Sequence, residues 1–233
     1  MHRRMAVLAA LTLTLVAGCG EAASEPAAQN PTATSPETAA TPTAATETAT
    51  TPTADDAPWY DKVPPAQAAG TVGGRDSACH LPLVFSLAEG TKATRIEIPD
   101  DVDDEIRDVL TRQGGATVVC EVDAKPIKAG FLRVWSVDEP KRRPRPAVES
   151  FVAAVKQVDD PQYRTVKTAL GDAVEATWIS TPEMAGESRR EFALAVRASG
   201  RTVLLSSSES LIAEIEDVLS VFRLAVRTVA PTG

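Results

Sequence analysis

Few residues in this 233-residue chain have side chains suited to catalysis. There are two histidines, His2 and His80, and three cysteines, Cys19, Cys79 and Cys120. His80 follows Cys79 directly, which invites a Cys–His dyad, but neighbours on a strand point to opposite faces. A surface histidine or one with satisfied hydrogen bonds is the better account. Gly186-Glu187-Ser188 is a loop triplet, not a nucleophile elbow, and neither a dinucleotide fingerprint nor a phosphate-binding loop is present. Asp100, Asp101, Asp103, Asp104, Glu105 and Asp108 are the densest acids. Carboxylates bind hard cations, but this spacing lacks the glycine of an EF-hand loop. Acids also belong at a helix N-terminus, where the dipole favours them by about 0.3–1 kcal/mol each, and that reading is preferred. Lys141, Arg142, Arg143 and Arg145 form the one basic run, a candidate contact for an anionic partner. A solvated loop is the plainer reading. No catalytic residue, cofactor or metal site is therefore expected.

The composition limits function further. Twenty-four Lys and Arg stand against 32 Asp and Glu, a net charge of −8. That acidic balance argues against a nucleic-acid partner, which requires a basic footprint. Aromatics make up only 4%, so the core must be largely aliphatic. A paired-carboxylate glycosidase would need a cleft, usually lined with aromatics. Trp135 and Trp178 lie within expected strands and read as core.

Residues 1–18 read as an address. Arg3 and Arg4 precede an apolar run from Met5 to Val16, and small residues follow. The run is too short to span a membrane, which takes about 20 apolar residues. Leu15-Val16-Ala17-Gly18-Cys19 resembles the bacterial lipobox. The resemblance implies a diacylglycerol on the Cys19 sulfur, cleavage before Cys19, and display on the outer face of the cell membrane. Two or three acyl chains anchor stably.

Residues 19–74 are expected to be the lipidated cysteine and a disordered Ala/Thr/Pro-rich tether. Between 20 and 56 there is no Val, Ile, Leu, Met, Phe, Tyr or Trp, but 11 Ala, 10 Thr and 5 Pro. Such a stretch cannot offset the entropy of ordering. If flexible, it spans roughly 30–40 Å end to end. A plain spacer is preferred, and Thr-rich segments of this kind also carry O-linked sugars. Pro58-Trp59-Tyr60 breaks the monotony and is expected to fold back onto the domain as a clasp.

Residues 75–228 are expected to form one α+β domain, with 229–233 as a tail. About 155 residues are enough for a single core. Strands are expected at 81–87 and 93–98, joined as a hairpin at Ala88-Glu89-Gly90. A helix follows at 101–112, capped by Asp100 or Asp101, with Val102, Ile106, Val109 and Leu110 facing inward. Further strands are expected at 117–122 and 131–137, the latter buried on both faces. Pro146 opens a second helix with Val148, Phe151, Val152 and Val155 inward. Hairpins are expected at 163–181, turning at Gly171-Asp172, and at 191–205, turning at Ser199-Gly200. Ser206 and Glu209 read as a capping box for a last helix carrying Leu211, Ile212, Ile215, Val218, Leu219 and Phe222. Short turns pair strands antiparallel. The expected architecture is thus a largely antiparallel sheet with helices on both faces, an α/β/α sandwich.

The opening His80-Leu-Pro-Leu-Val-Phe-Ser-Leu-Ala-Glu-Gly90 resembles the start of PsbP-like domains, as does a long hairpin before the terminal helix. With the lipobox and tether, the chain resembles actinobacterial envelope lipoproteins of the LpqN kind. That resemblance implies a non-catalytic binding or assembly module for an envelope protein or an apolar ligand. A cell-wall hydrolase or redox enzyme is the alternative.

With Cys19 lipidated, Cys79 and Cys120 remain, and thiols outside the membrane usually oxidise. A reactive pair would favour CxxC spacing or a lowered thiolate pKa. A structural bridge is expected, worth roughly 4 kcal/mol in the chain-entropy account.

Overall fold

A computed structural model describes residues 56–99, 101–181, 186–208 and 213–232. Cys19, Glu209, Leu211 and Ile212 lie outside them. Strands β1 (Ala68–Gly73), β2 (Leu83–Ala88) and β3 (Lys92–Arg95) lead to helix α1 (Asp104–Thr111). Strands β4 (Arg112–Gln113), β5 (Ala116–Asp123) and β6 (Phe131–Val137) precede α2 (Pro144–Ala153). Strands β7 (Val158–Thr168), β8 (Gly171–Ser180), β9 (Arg189–Ala198) and β10 (Arg201–Ser208) follow. Helix α3 (Ile215–Thr228) and the short β11 (Ala230–Pro231) close the chain.

The larger sheet has the order β3-β5-β6-β10-β9-β8-β7, with β4 also on β5. Its pairs are antiparallel throughout. A second sheet, β1-β2-β11, is antiparallel as well. Three helices on mostly antiparallel sheet make this an α+β protein.

Strand periodicity sorts most of the core into two clusters, beside a small third one of Ala88, Ala124, Ala129, Val221 and Leu224. Phe192, Leu194 and Val196 of β9 join Leu219, Phe222 and Ala225 of α3, together with Leu83 and Phe85 of β2. The alternate residues Ala193 and Ala195 join Val148, Phe151 and Val152 of α2. Small alanines there leave room for aromatics. Trp135 meets Phe151 edge-on at 5.1 Å between ring centres, and Phe151 meets Trp178 at 6.5 Å. Gly114 lets the β4–β5 turn touch α2, because a Cβ there would stand 2.3 Å from the Ser150 carbonyl oxygen.

Several expectations are corrected. Strands β2 and β3 do not form a hairpin; they belong to different sheets. The partner of β2 is β1, which falls inside the expected tether. Only Val72 of β1 is buried, so its sequence lacks the alternation of a half-buried strand. The expected tail likewise contributes β11, with Val229 buried before it. Helix α1 is shorter than expected and is capped by Asp103, which accepts from the Glu105 amide at 2.9 Å. Its apolar stripe does not face inward: Ile106, Val109 and Leu110 are 55%, 79% and 60% exposed. The pattern is amphipathic, but the cores beneath β5 and β6 are closed by residues of α2 and α3. Ser206 is no cap: it lies in β10 and accepts from Trp135 Nε1 at 2.9 Å. Helix α3 begins after Glu214 instead, with no side-chain cap.

Candidate binding cleft

The loop between β1 and β2 is held from three directions. Gly73 turns with φ +104°, and a Cβ there would stand 1.9 Å from the Leu83 carbonyl oxygen. Only glycine fits. The Ser77 hydroxyl accepts from the amides of Gly73 at 2.9 Å and Cys79 at 3.1 Å, and donates to the Cys79 carbonyl. Cys79 is joined to Cys120 of β5, with Cα atoms 5.9 Å apart. That bridge ties the loop to the large sheet. Ser199, in the β9–β10 turn, donates to the Pro82 carbonyl at 3.4 Å.

Between this loop, the β9–β10 turn and the end of β11 lies an open cleft of about 1010 Å³. Arg75, Asp76, His80, Arg201, Ser199 and Thr232 supply its polar lining. Leu81, Pro82 and Val84 supply an apolar wall. Arg75, His80 and Arg201 are exposed. The sequence offers His80 only as a surface histidine or one with satisfied hydrogen bonds, and it singles out neither arginine. Nothing in the local sequence marks them, because the fold alone brings 75, 80 and 201 to one cleft.

The other candidate residues do not converge. In the basic run, Arg142 pairs with Glu139 at 3.3 Å, and Arg145 pairs with Glu149 while lying over the Tyr163 ring at 4.6 Å. Arg143 precedes α2 as its cap residue. The Arg142 carbonyl accepts from Arg197 at 3.4 Å and from Thr202. Two of the four side chains, those of Arg142 and Arg145, are therefore engaged locally. Among the acids, Asp104 pairs with Arg107 at 2.9 Å and Asp108 with Arg112 at 3.9 Å. Among the described residues, no group of three His, Cys, Asp or Glu is arranged to hold a metal ion.

Titratable groups with altered proton affinity lie outside the cleft lining. Asp61 is lowered, first by the hydrogen bond from Arg164, against partial burial, and further by the charges of Arg164, Arg223 and Arg227. Burial opposes the charge of Arg164, yet bonds to Asp61 and the charge of Glu175 outweigh it and raise it. Glu191 is raised, chiefly by burial, although Ser180 donates to it at 2.5 Å and Arg189 stands 3.8 Å away. The partners of Glu191 are thus the Ser180 hydroxyl and the Arg189 guanidinium.

The expected clasp is present. Trp59 lies under the Arg164 guanidinium at 4.2 Å, Tyr60 packs against the α3-side core, and Val63 is buried in it.

Fold and bridge together define a disulfide-linked α+β domain, and such bridges persist where thiols oxidise. The chain belongs to the family described as "uncharacterised lipoprotein", whose model matches residues 48–229. Among curated proteins none matches the chain. Membership fits an envelope location, and among the described residues no helix is long and apolar enough to cross a membrane.

Proposed function

We propose that this chain is an extracytoplasmic lipoprotein, anchored through Cys19 to the outer face of the cell membrane, whose domain is a non-catalytic binding or assembly module. The anchoring rests on the lipobox resemblance and agrees with the family. The two core clusters, one built with α2 and one with α3, support helices on both faces of the large sheet. That arrangement favours a sandwich of the PsbP-like, LpqN kind.

One observation carries the binding role. The apolar stripe of α1, Ile106, Val109 and Leu110, is left uncovered. Exposed apolar side chains grouped on one helix mark a contact surface for another protein. An envelope protein is therefore the partner this geometry favours over an apolar ligand, since both helix-to-sheet cores are filled by side chains. Catalysis has little support, because the perturbed acids are tied to structural partners and lie outside the cleft lining.

A photo-reactive residue at Val109, in the full-length protein in its own envelope, should give one defined adduct. Ile106→Asp with Leu110→Asp should abolish it. The same residue at exposed Lys167 supplies the background. Equal adducts at both positions would sink the reading.

A further inference from the structure

We propose that Arg75, His80 and Arg201 form a binding site for the phosphoryl group of a phosphorylated polyol, with Asp76 receiving the polyol's hydroxyls. This site adds a small ligand to the protein contact proposed for α1 and does not depend on it.

Charge comes first. Two guanidinium groups line the cleft against one carboxylate, Asp76. Among the described residues neither Arg75 nor Arg201 takes part in an ion pair, although most other arginines of the domain do. Each guanidinium presents five donors in a planar fork suited to oxyanions. Adding the His80 imidazole and the Thr232 hydroxyl gives more donors than the two oxygens of a carboxylate can take. The three terminal oxygens of a phosphate monoester suit them better.

The rest of the lining shapes the ligand. Asp76 repels a bare anion but accepts hydrogen bonds from hydroxyls carried on the same molecule. Leu81, Pro82 and Val84 offer an apolar wall against a carbon skeleton. A cleft of about 1010 Å³ has room for more than a free ion.

The site is also held in place before a ligand arrives. His80 follows the bridged Cys79. Ser77 fixes the turn that carries Arg75, and Ser199 ties the β9–β10 turn beside Arg201 to Pro82. A fixed backbone leaves only the side chains to be ordered on binding, which favours affinity.

A phosphate monoester beside free hydroxyls is offered by a soluble phosphorylated polyol and by the headgroup of a phosphatidylinositol phosphate. The chain from residue 19 onward, with Cys19→Ser so that no lipid is attached, separates the two. Glycerol 3-phosphate, titrated to about 10 mM, should shift the amide resonances of Gly74, His80 and Arg201 saturably. Inorganic phosphate should bind more weakly, and glycerol alone should not shift them. Arg75→Gln with Arg201→Gln should weaken binding about tenfold or more, each lost charged hydrogen bond being substantial. Both side chains are exposed, so resonances elsewhere should stay unchanged. Sedimentation with vesicles containing phosphatidylinositol 4-phosphate, but not with phosphatidylcholine vesicles, lost in the same double variant, would assign the site to a headgroup. A response to glycerol 3-phosphate without sedimentation would assign it to a soluble ligand. Val109→Asp should bind glycerol 3-phosphate as the wild type does, which keeps this test apart from that of α1. The proposal is overturned if neither glycerol 3-phosphate nor phosphatidylinositol 4-phosphate binds wild type more tightly than the double variant, or if glycerol alone reproduces the shifts.

Discussion

Arg223 of α3 donates through Nη1 to Glu175 of β8 at 2.8 Å, with 6% and 0% of the two side chains exposed. Arg164 of β7 completes the other Glu175 oxygen at 2.7 Å. Asp61 then balances the two arginines, accepting from Arg164 at 2.6 and 2.7 Å and lying 3.3 Å from Arg223. Arg223 also donates to the Trp59 carbonyl. The network thus joins helix, sheet and N-terminal clasp in one set of charge-assisted bonds. Such a network is sensitive to the loss of its buried members, Glu175 and Arg223, because the charge left behind stays buried.

Glu175→Ala should therefore destabilise the domain by about 3–5 kcal/mol, since it leaves the Arg223 charge buried without its carboxylate. Asp61→Ala should have a smaller effect, about 1 kcal/mol or less, because Asp61 is largely exposed and its pairs are screened. Denaturant titration of both variants tests the ranking. Equal losses would mean that Glu175 is not the keystone.

Acid should act on the clasp and on Glu191 with opposite signs. Asp61 has a lowered folded pKa, so its contribution is present above the unfolded carboxylate range, near 3.9. That contribution is lost as pH falls through the folded value. Glu191 has a raised folded pKa. Below its unfolded value, near 4.3, it is neutral in both states and carries no penalty; the penalty grows as pH rises through the folded value. Glu191→Gln should raise Tm at pH 7 and have little effect at pH 4. A gain of equal size at both pH values would disprove the assignment.

The disulfide should be inaccessible and stabilising. Both cysteines are buried, and the bridge closes a separation of 41 residues, worth about 4 kcal/mol in the chain-entropy account. Cys79→Ala with Cys120→Ala should lower the denaturation midpoint and broaden the resonances of His80 more than those of α2. Stability unchanged after reduction would show the constraint to be idle.

Anchoring should depend on one atom, the Cys19 sulfur. Cys19→Ser is expected to move the protein from the membrane fraction to the soluble fraction. Undiminished membrane fractionation would mean that something other than the lipid holds it.

Legibility followed local pattern strength. Strand β6 was read at its observed bounds, because Leu132 and Val134 serve one core and Trp135 and Val137 the other. The β9–β10 hairpin was readable from Ser199-Gly200. The sequence concealed β1, whose residues are mostly small or exposed and whose pairing is supplied by backbone alone. Periodicity on α1 announced an apolar face but not what covers it. The cleft was hidden because its arginines, Arg75 in the β1–β2 loop and Arg201 at the start of β10, are brought together only by tertiary structure.

That uncovered face gives the sharpest contrast in stability. Phe151 and Val109 both lie on amphipathic helices, yet Phe151 is buried between Trp135 and Trp178, whereas Val109 is exposed. Phe151→Ala should open a cavity against both tryptophans and destabilise by about 3–5 kcal/mol. Val109→Asp removes exposed apolar area and places a charge in water, so stability should change by about 0.5 kcal/mol or less. Thermal unfolding of the two variants under the same conditions provides the comparison. A core-sized loss at Val109 would mean that α1 packs against the domain, and the protein-contact surface proposed there would have to be abandoned.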